Sequence, residues 1–205
     1  MLSVLRSSVL VAVLTMVISI SIGALAGYAL SRFDFRGKEV FRLLVLLPRA
    51  FPLPLLAPPL AVLFIRTGLV DTAFGLALVH TTLAIPFAVL ITFSLFADIP
   101  VELGEAAWPL GCTRFTAFVK VVLPLILPGI AASAIFAFVI SWNEVFPAAV
   151  LTIENRTLPA FRLQTLAESL MHLKFAGGFI LVVPALIFIS AVRKYLLAMW
   201  GIEKH

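Results

Sequence analysis

Glu105-Ala106-Ala107-Trp108-Pro109-Leu110-Gly111, running on through Arg114 and Lys120 to Leu123-Pro124, is a polar island in a very apolar chain. The sequence on either side of it reads as membrane. A segment with carboxylates, a Gly turn and two basic residues is suited to meet a soluble partner, so its setting decides how the rest is organised. The whole sequence has 205 residues, of which 62% are hydrophobic and 12% charged, and its mean hydropathy is +1.17. Globular chains average roughly 45–50% apolar and about 25% charged residues, so this excess exceeds what an ordinary core needs. It points to an all-α polytopic membrane protein, folded as one transmembrane domain over 1–205 and with the lipid bilayer as its solvent.

The net charge of +5 and the pI near 9.9 do not argue for nucleic acid, because the basic residues are scattered in short segments between apolar runs rather than gathered on one face. They read as topology signals. The single cysteine, Cys112, excludes an internal disulfide and a Cys-rich metal site.

Ser7 to Leu30 is nearly free of charge and about 24 residues long, enough to cross a core of roughly 30 Å at ~1.5 Å per residue. A secretory signal is the rival reading, since Arg6 precedes the run and Ala24-Leu25-Ala26 resembles a cleavage site. The run is longer than the roughly 7–15 residues of a signal's apolar region, and Arg32, Arg36, Lys38 and Arg42 follow it. The second apolar stretch, 40–65, holds Pro48, Pro52, Pro54, Pro58 and Pro59 and cannot be one smooth helix. A broken segment buried in protein is expected, because in lipid the freed carbonyls need other partners. Arg49 within it is either a residue of the translocation path or a snorkelling or carbonyl-capping arginine.

A third span is expected over 73–96, where His80, near the start, is either a proton relay or ligand group or the partner of a neighbouring backbone group. Asp98 is the expected N-cap of a short helix running through Ala107, with Pro100 in its first turn. Pro109 and Gly111 end it, and Thr113 caps a second helix over 114–122. The expectation for 98–122 is thus a compact knuckle of helix, sharp turn and helix. A fourth span follows over 123–146, closed by Ser141-Trp142-Asn143-Glu144. Residues 147–174 read as short amphipathic surface helices, and a fifth span covers 177–199.

With the N-terminus outside, the inner ends hold Arg32, Arg36, Lys38, Arg42, Arg114, Lys120, Arg193, Lys194 and Lys204. The outer loops hold Arg6, Arg66, Arg156, Arg162 and Lys174. Nine against five places the polar island in the cytoplasm. The chain has no phosphate-binding Gly-rich loop, no His-Glu-x-x-His, no Gly-x-Ser-x-Gly and no Cys/His cluster, so catalysis is not written in it and no cofactor is expected. What remains is passage across the membrane or an anchoring and signalling role; a secondary transporter using His80, Arg49 and Glu144 as a charged relay is one such reading, and an intramembrane enzyme is a further class.

The island's order is Glu105-Ala106-Ala107, three residues, Gly111, nine residues, the aliphatic Val121, one residue, then Leu123-Pro124. This resembles the cytoplasmic signature loop of the permease subunits of binding-protein-dependent ABC importers. In that family the loop is a coupling helix that enters a cleft of the ATPase subunit. The resemblance implies that the five spans read here form a type I permease core in the bacterial inner membrane. It implies as partners a second permease, two ATPase subunits that bind the ATP, and an external solute-binding protein. Small Ala106 and Ala107 and the turn at Gly111 suit close approach, and Glu102 and Glu105 have the wrong sign for a helix lying on an anionic leaflet. Ser141-Trp142-Asn143-Glu144, Arg156-Thr157-Leu158-Pro159, Phe33 to Lys38 and the Arg193-Lys194-Tyr195-Leu196 tail look like the maltose-type sugar permeases. Two departures stand out: Leu110 occupies the usual Asp position, as in polyamine- and molybdate-type relatives, and Trp108-Pro109 is unusual. The solute implied is a sugar or polyol, with a polyamine or oxyanion as the alternative. Trp142 and Asn143 either stack on and hydrogen-bond to it or buttress the mouth of the fourth span. Six spans are general in the sugar subfamily, and the helix without a counterpart is the first. A truncated chain, a misplaced start and a five-span core remain open readings.

Overall fold

A computed structural model describes residues 2–154, Thr157 and the helical positions Phe179, Val182, Val183, Leu186, Ile187 and Ser190. Among the described residues every regular element is helical. The uninterrupted apolar run at the N-terminus forms α1 (Leu2–Arg32), the third run forms α4 (Ala73–Ala97), and the fourth forms α7 (Leu123–Asn143). These three make the core of the bundle. Val11, Ala12, Thr15 and Ser19, in the half of α1 that a signal peptidase would remove, are fully buried.

Direction follows from who touches whom. Thr15 bonds to the Ala77 carbonyl and Thr92 to the Gly23 carbonyl, while Tyr28 meets Phe96, so α1 and α4 are parallel. Ser141 near the end of α7 reaches Thr15, and Phe118 just before α7 reaches Tyr28, so α7 is antiparallel to both. Two parallel neighbours require the chain between them to cross back.

That return is made by α2 (Lys38–Ala50) and α3 (Leu53–Thr67), two helices bent by 88°. The break is at Phe51-Pro52, where Phe51 is extended (φ −88°, ψ 129°) because the following proline ring disfavours a helical conformation there. Pro48, Pro58 and Pro59 stay inside helices. The stretch is broken as expected, but the expectation that it is protein-buried is wrong for the single chain. No residue of α2 is buried and only Phe64 of α3 is, because the pair leans on α4 and on the short helix α8 (Phe146–Leu151) and leaves its other faces open. By length and composition, three helices (Ser3–Arg32, Ala73–Ala97, Arg114–Asn143) can cross a membrane, and the bent pair makes a fourth candidate. The expected fifth span at 177–199, and the amphipathic segment beyond α8, lie outside the described residues apart from the positions named above.

Close approach of α1 and α4 depends on small residues. A Cβ on Gly23 would come within 2.6 Å of the Ala88 Cβ, and one on Gly27 would collide with Thr92. The Thr92 hydroxyl donates across the seam to the Gly23 carbonyl at 2.7 Å. Gly-x-x-x-Gly against Ala-x-x-x-Thr lets the backbones meet where lipid offers no hydrophobic drive for association.

At the opposite end from the polar island, Asp71 clasps two loops. Its carboxylate accepts from the Ile153 and Glu154 amides at 2.8 and 3.0 Å, and its own amide donates to the Leu151 carbonyl at 2.9 Å. These bonds hold a non-glycine residue at φ 57°, a left-handed conformation that Asp tolerates better than most.

Polar island and candidate translocation path

The polar island lies between α4 and α7, on the same side as the basic stretch after α1. α5 (Val101–Glu105) is shorter than expected, since Ala106 to Gly111 form turns. Asp98 is not its N-cap. Asp98 is itself helical (φ −74°, ψ −15°) and closes α4, whereas Pro100, extended at ψ 135°, starts α5 without a side-chain cap. Thr113 does cap α6 (Arg114–Ala117), accepting from the Thr116 amide at 3.2 Å.

The expected second limb is not a separate helix. α6 passes through one π-helical turn (Phe118–Val122) directly into α7. Pro124 has no N–H for the carbonyl one turn back, and the wider turn, in which the Leu123 amide reaches the Phe118 carbonyl, absorbs the mismatch. The polar island is therefore the root of α7. Tyr28, Phe96 and Phe118 lock it to the bundle, with ring centroids 4.5 to 5.9 Å apart.

Within the loop, Glu105 and Ala106 are exposed, Ala107 is 7% exposed, and Pro124 is exposed on the outer side of the first turn of α7. Leu123 is half-buried against the Phe96 cluster. The Glu105 carboxylate meets no partner among the described residues. Gly111 has φ 85° with open space around it, so its backbone angle and not crowding calls for glycine. The Cys112 amide returns to the Ala107 carbonyl at 3.2 Å and closes the turn. Leu110 is 83% exposed at the tip. Trp108 is fixed under the Arg114 guanidinium, 5.2 Å from its ring centre. A cavity of about 410 Å³ separates the loop from the end of α1, lined by Tyr28, Arg32, Glu105, Trp108 and Phe118 among others.

The residues predicted for the path are not together. Arg49, in the last turn of α2, donates its Nε to the Leu83 carbonyl at 3.3 Å and lays its guanidinium 4.2 Å over the Phe87 ring. Pro86, inside α4, has no N–H for the Thr82 carbonyl, so this turn is short of one internal donor. Phe87 in turn meets Phe136 of α7 edge-on at 4.9 Å. Trp142 is elsewhere: 2% exposed, stacked on Phe138 at 5.7 Å and packed with Val4 and Ala12 of α1. Asn143 is exposed and donates to the Val139 carbonyl at 2.9 Å.

His80 is fully buried and bonds to a hydroxyl rather than to backbone, with Nδ1 2.8 Å from Ser141 Oγ. Ser141 donates to Thr15 at 3.2 Å, and Thr15 donates to the Ala77 carbonyl. Each hydroxyl hydrogen is thereby used, so Nδ1 must carry the proton that bonds to Ser141. His80, Arg49 and Glu144 share no contact that would make a relay: Glu144 accepts from the Phe146 amide. Phe87, Phe136 and the Gly23–Gly27 seam were not singled out from sequence. Only the seam had a local signal, its Gly-x-x-x-Gly spacing.

Residues 6–198 match the family described as binding-protein-dependent transport system inner membrane component. The chain is 32% identical over 202 residues to the trehalose transport system permease protein SugB of Mycobacterium tuberculosis, covering 96% of this chain and 74% of that protein. It is 32% identical over 196 residues to the arabinooligosaccharides transport system permease protein AraQ of Halalkalibacterium halodurans, covering 94% and 70%. In fold it resembles a chain of a bacterial ABC transporter involved in the import of the acidic polysaccharide alginate, at TM-score 0.66 and 22% identity, over 97% of this chain and 73% of that one. The chain therefore belongs to the family of inner-membrane components of binding-protein-dependent transport systems.

Proposed function

We propose that the chain is the permease subunit of an ABC importer for a sugar or polyol, and that it hydrolyses no ATP itself. It works by alternating access with a second permease, two ATPase subunits and an external binding protein. The observation that carries the coupling role is the polar island itself: an exposed short helix with an unpaired Glu105, turned at Gly111 and continuous through a π turn with a membrane helix. A push on such a loop reaches α7 without an intervening flexible joint. Glu105, Ala106, Ala107, Gly111, Leu123 and Pro124 are its coupling residues. The sugar class rests on the relatives, whose names specify trehalose and arabinooligosaccharides. Leu110, the feature that pointed toward polyamines or oxyanions, is at the exposed tip of the loop proposed to dock the ATPase.

Co-purification of the ATPase subunit through this chain tests the reading. Glu105→Lys or Gly111→Pro leaves membrane insertion intact but weakens ATPase capture and abolishes ATP-driven uptake. Proline is confined to φ near −65°, roughly 150° from the angle Gly111 adopts. Normal uptake in both variants, or uptake by this chain alone in proteoliposomes, overturns it.

A further inference from the structure

The membrane interior of the described chain holds one cation that no carboxylate answers. Arg49 is about 16 Å along α2 from Lys38, and its acceptor Leu83 is about 15 Å into α4, at ~1.5 Å per residue. Both positions put the guanidinium near the middle of a core roughly 30 Å thick. The ion pairs among the described residues, Lys38–Asp34 and Arg42–Glu39, are at the helix end. The acidic side chains Asp71, Asp98, Glu102, Glu105, Glu144 and Glu154 are all at helix ends or in loops. A charge at this depth faces the bundle interior or a wet cavity, or pairs with another charge or with backbone carbonyls.

The group is nevertheless held in place. Nε is committed to the Leu83 carbonyl at 3.3 Å, and the plane rests 4.2 Å over Phe87. That leaves the Nη1/Nη2 fork without a partner among the described residues, on an exposed residue beside the elbow between α2 and α3. Phe136, 41% exposed, stands against Phe87 on the neighbouring helix. The three side chains come from α2, α4 and α7, so they meet only in the folded bundle.

We infer that Arg49, Phe87 and Phe136 form a mid-membrane solute site, and that the solute is an acidic saccharide. Its carboxylate takes the free guanidinium fork in the bidentate geometry that arginine favours. The apolar face of its sugar ring covers Phe136. A neutral sugar would satisfy some of the donors but leave the charge unbalanced. This rests on the importer reading above and narrows it to a charge class.

The test uses the assembled transporter, with both permeases, ATPase and binding protein, in proteoliposomes. ATP-driven uptake of radiolabelled digalacturonate and of maltose is compared, with the amount of assembled complex measured by co-purification. Digalacturonate is expected to be carried in preference to maltose. Arg49→Gln lowers digalacturonate uptake by about tenfold or more, the loss of a charged hydrogen-bond pair. Arg49→Lys keeps part of it, and Phe136→Ala reduces it at unchanged complex yield. Carriage of maltose without digalacturonate, or equal digalacturonate uptake by Arg49→Gln, overturns the acidic site and leaves the importer standing. Rescue of Arg49→Glu by a lysine in place of a carboxylate on the second permease also overturns it, since Arg49 then pairs with that subunit. If neither sugar moves with ATP, the sugar-importer reading falls with it.

Discussion

A single hydroxyl shows how buried polarity is settled in this bundle. Ser141 accepts from His80 Nδ1 and donates to Thr15, joining all three core helices. Ser141→Ala strands the buried Nδ1–H, and it should lower stability by about 1–3 kcal/mol, read as a reduced melting temperature of the purified complex. Unchanged melting would mean that another group takes the proton. None of this was legible from sequence: Ser141 stood out there only as part of a motif with Trp142, Asn143 and Glu144, and His80 was open between a relay or ligand group and a backbone partner. Hydrogen-bond partners some 61 and 126 residues apart leave no local pattern. Arg49 is the converse case. Its depth and charge were plain from sequence, but its commitment to the Leu83 carbonyl depends on how α2 packs against α4.

At the scale of elements, glycines separate crowding from backbone angle. Gly23→Val drives a side chain into Ala88, where a Cβ alone would already lie 2.6 Å from its neighbour's. Overpacking costs about 1–3 kcal/mol, and the variant complex should melt earlier. Gly129→Ala meets only the flexible tip of Leu95 at 2.5 Å, so a smaller loss is expected in the same assay. Gly111→Ala has open space and carries only the left-handed backbone cost of about 1–2 kcal/mol. It should therefore retain ATP-driven uptake where Gly111→Pro does not. Helix limits were legible where apolarity was continuous, as in α1 and α4. They were missed at 98–122, because a propensity reading stops a helix at a proline, whereas the chain accommodated Pro124 with a π turn.

For the whole molecule, the parallel run of α1 and α4 puts the polar island and the basic stretch 32–42 on one side, and the positive-inside bias makes that side cytoplasmic. Cys112, the single cysteine and half-buried in the loop, reports this directly. A membrane-impermeant maleimide should label it in inside-out vesicles and not in intact cells, and bound ATPase should slow the labelling. Labelling from outside would invert the topology. The open apolar faces of α2 and α3, with Leu43 68% and Leu55 70% exposed, mark surfaces that the single chain leaves to lipid or to a second subunit. By itself the sequence determined that this is a helical membrane protein with a polar island between α4 and α7, because hydropathy, proline and charge act locally and the island's motif is contiguous. Only the tertiary structure decided that the bent pair leans on α4, that Trp142 is core, and that Arg49 lies over Phe87, which in turn meets Phe136. In spans that are apolar on every side, no periodicity marks the inward face, and it is fixed by the packing of small residues between helices.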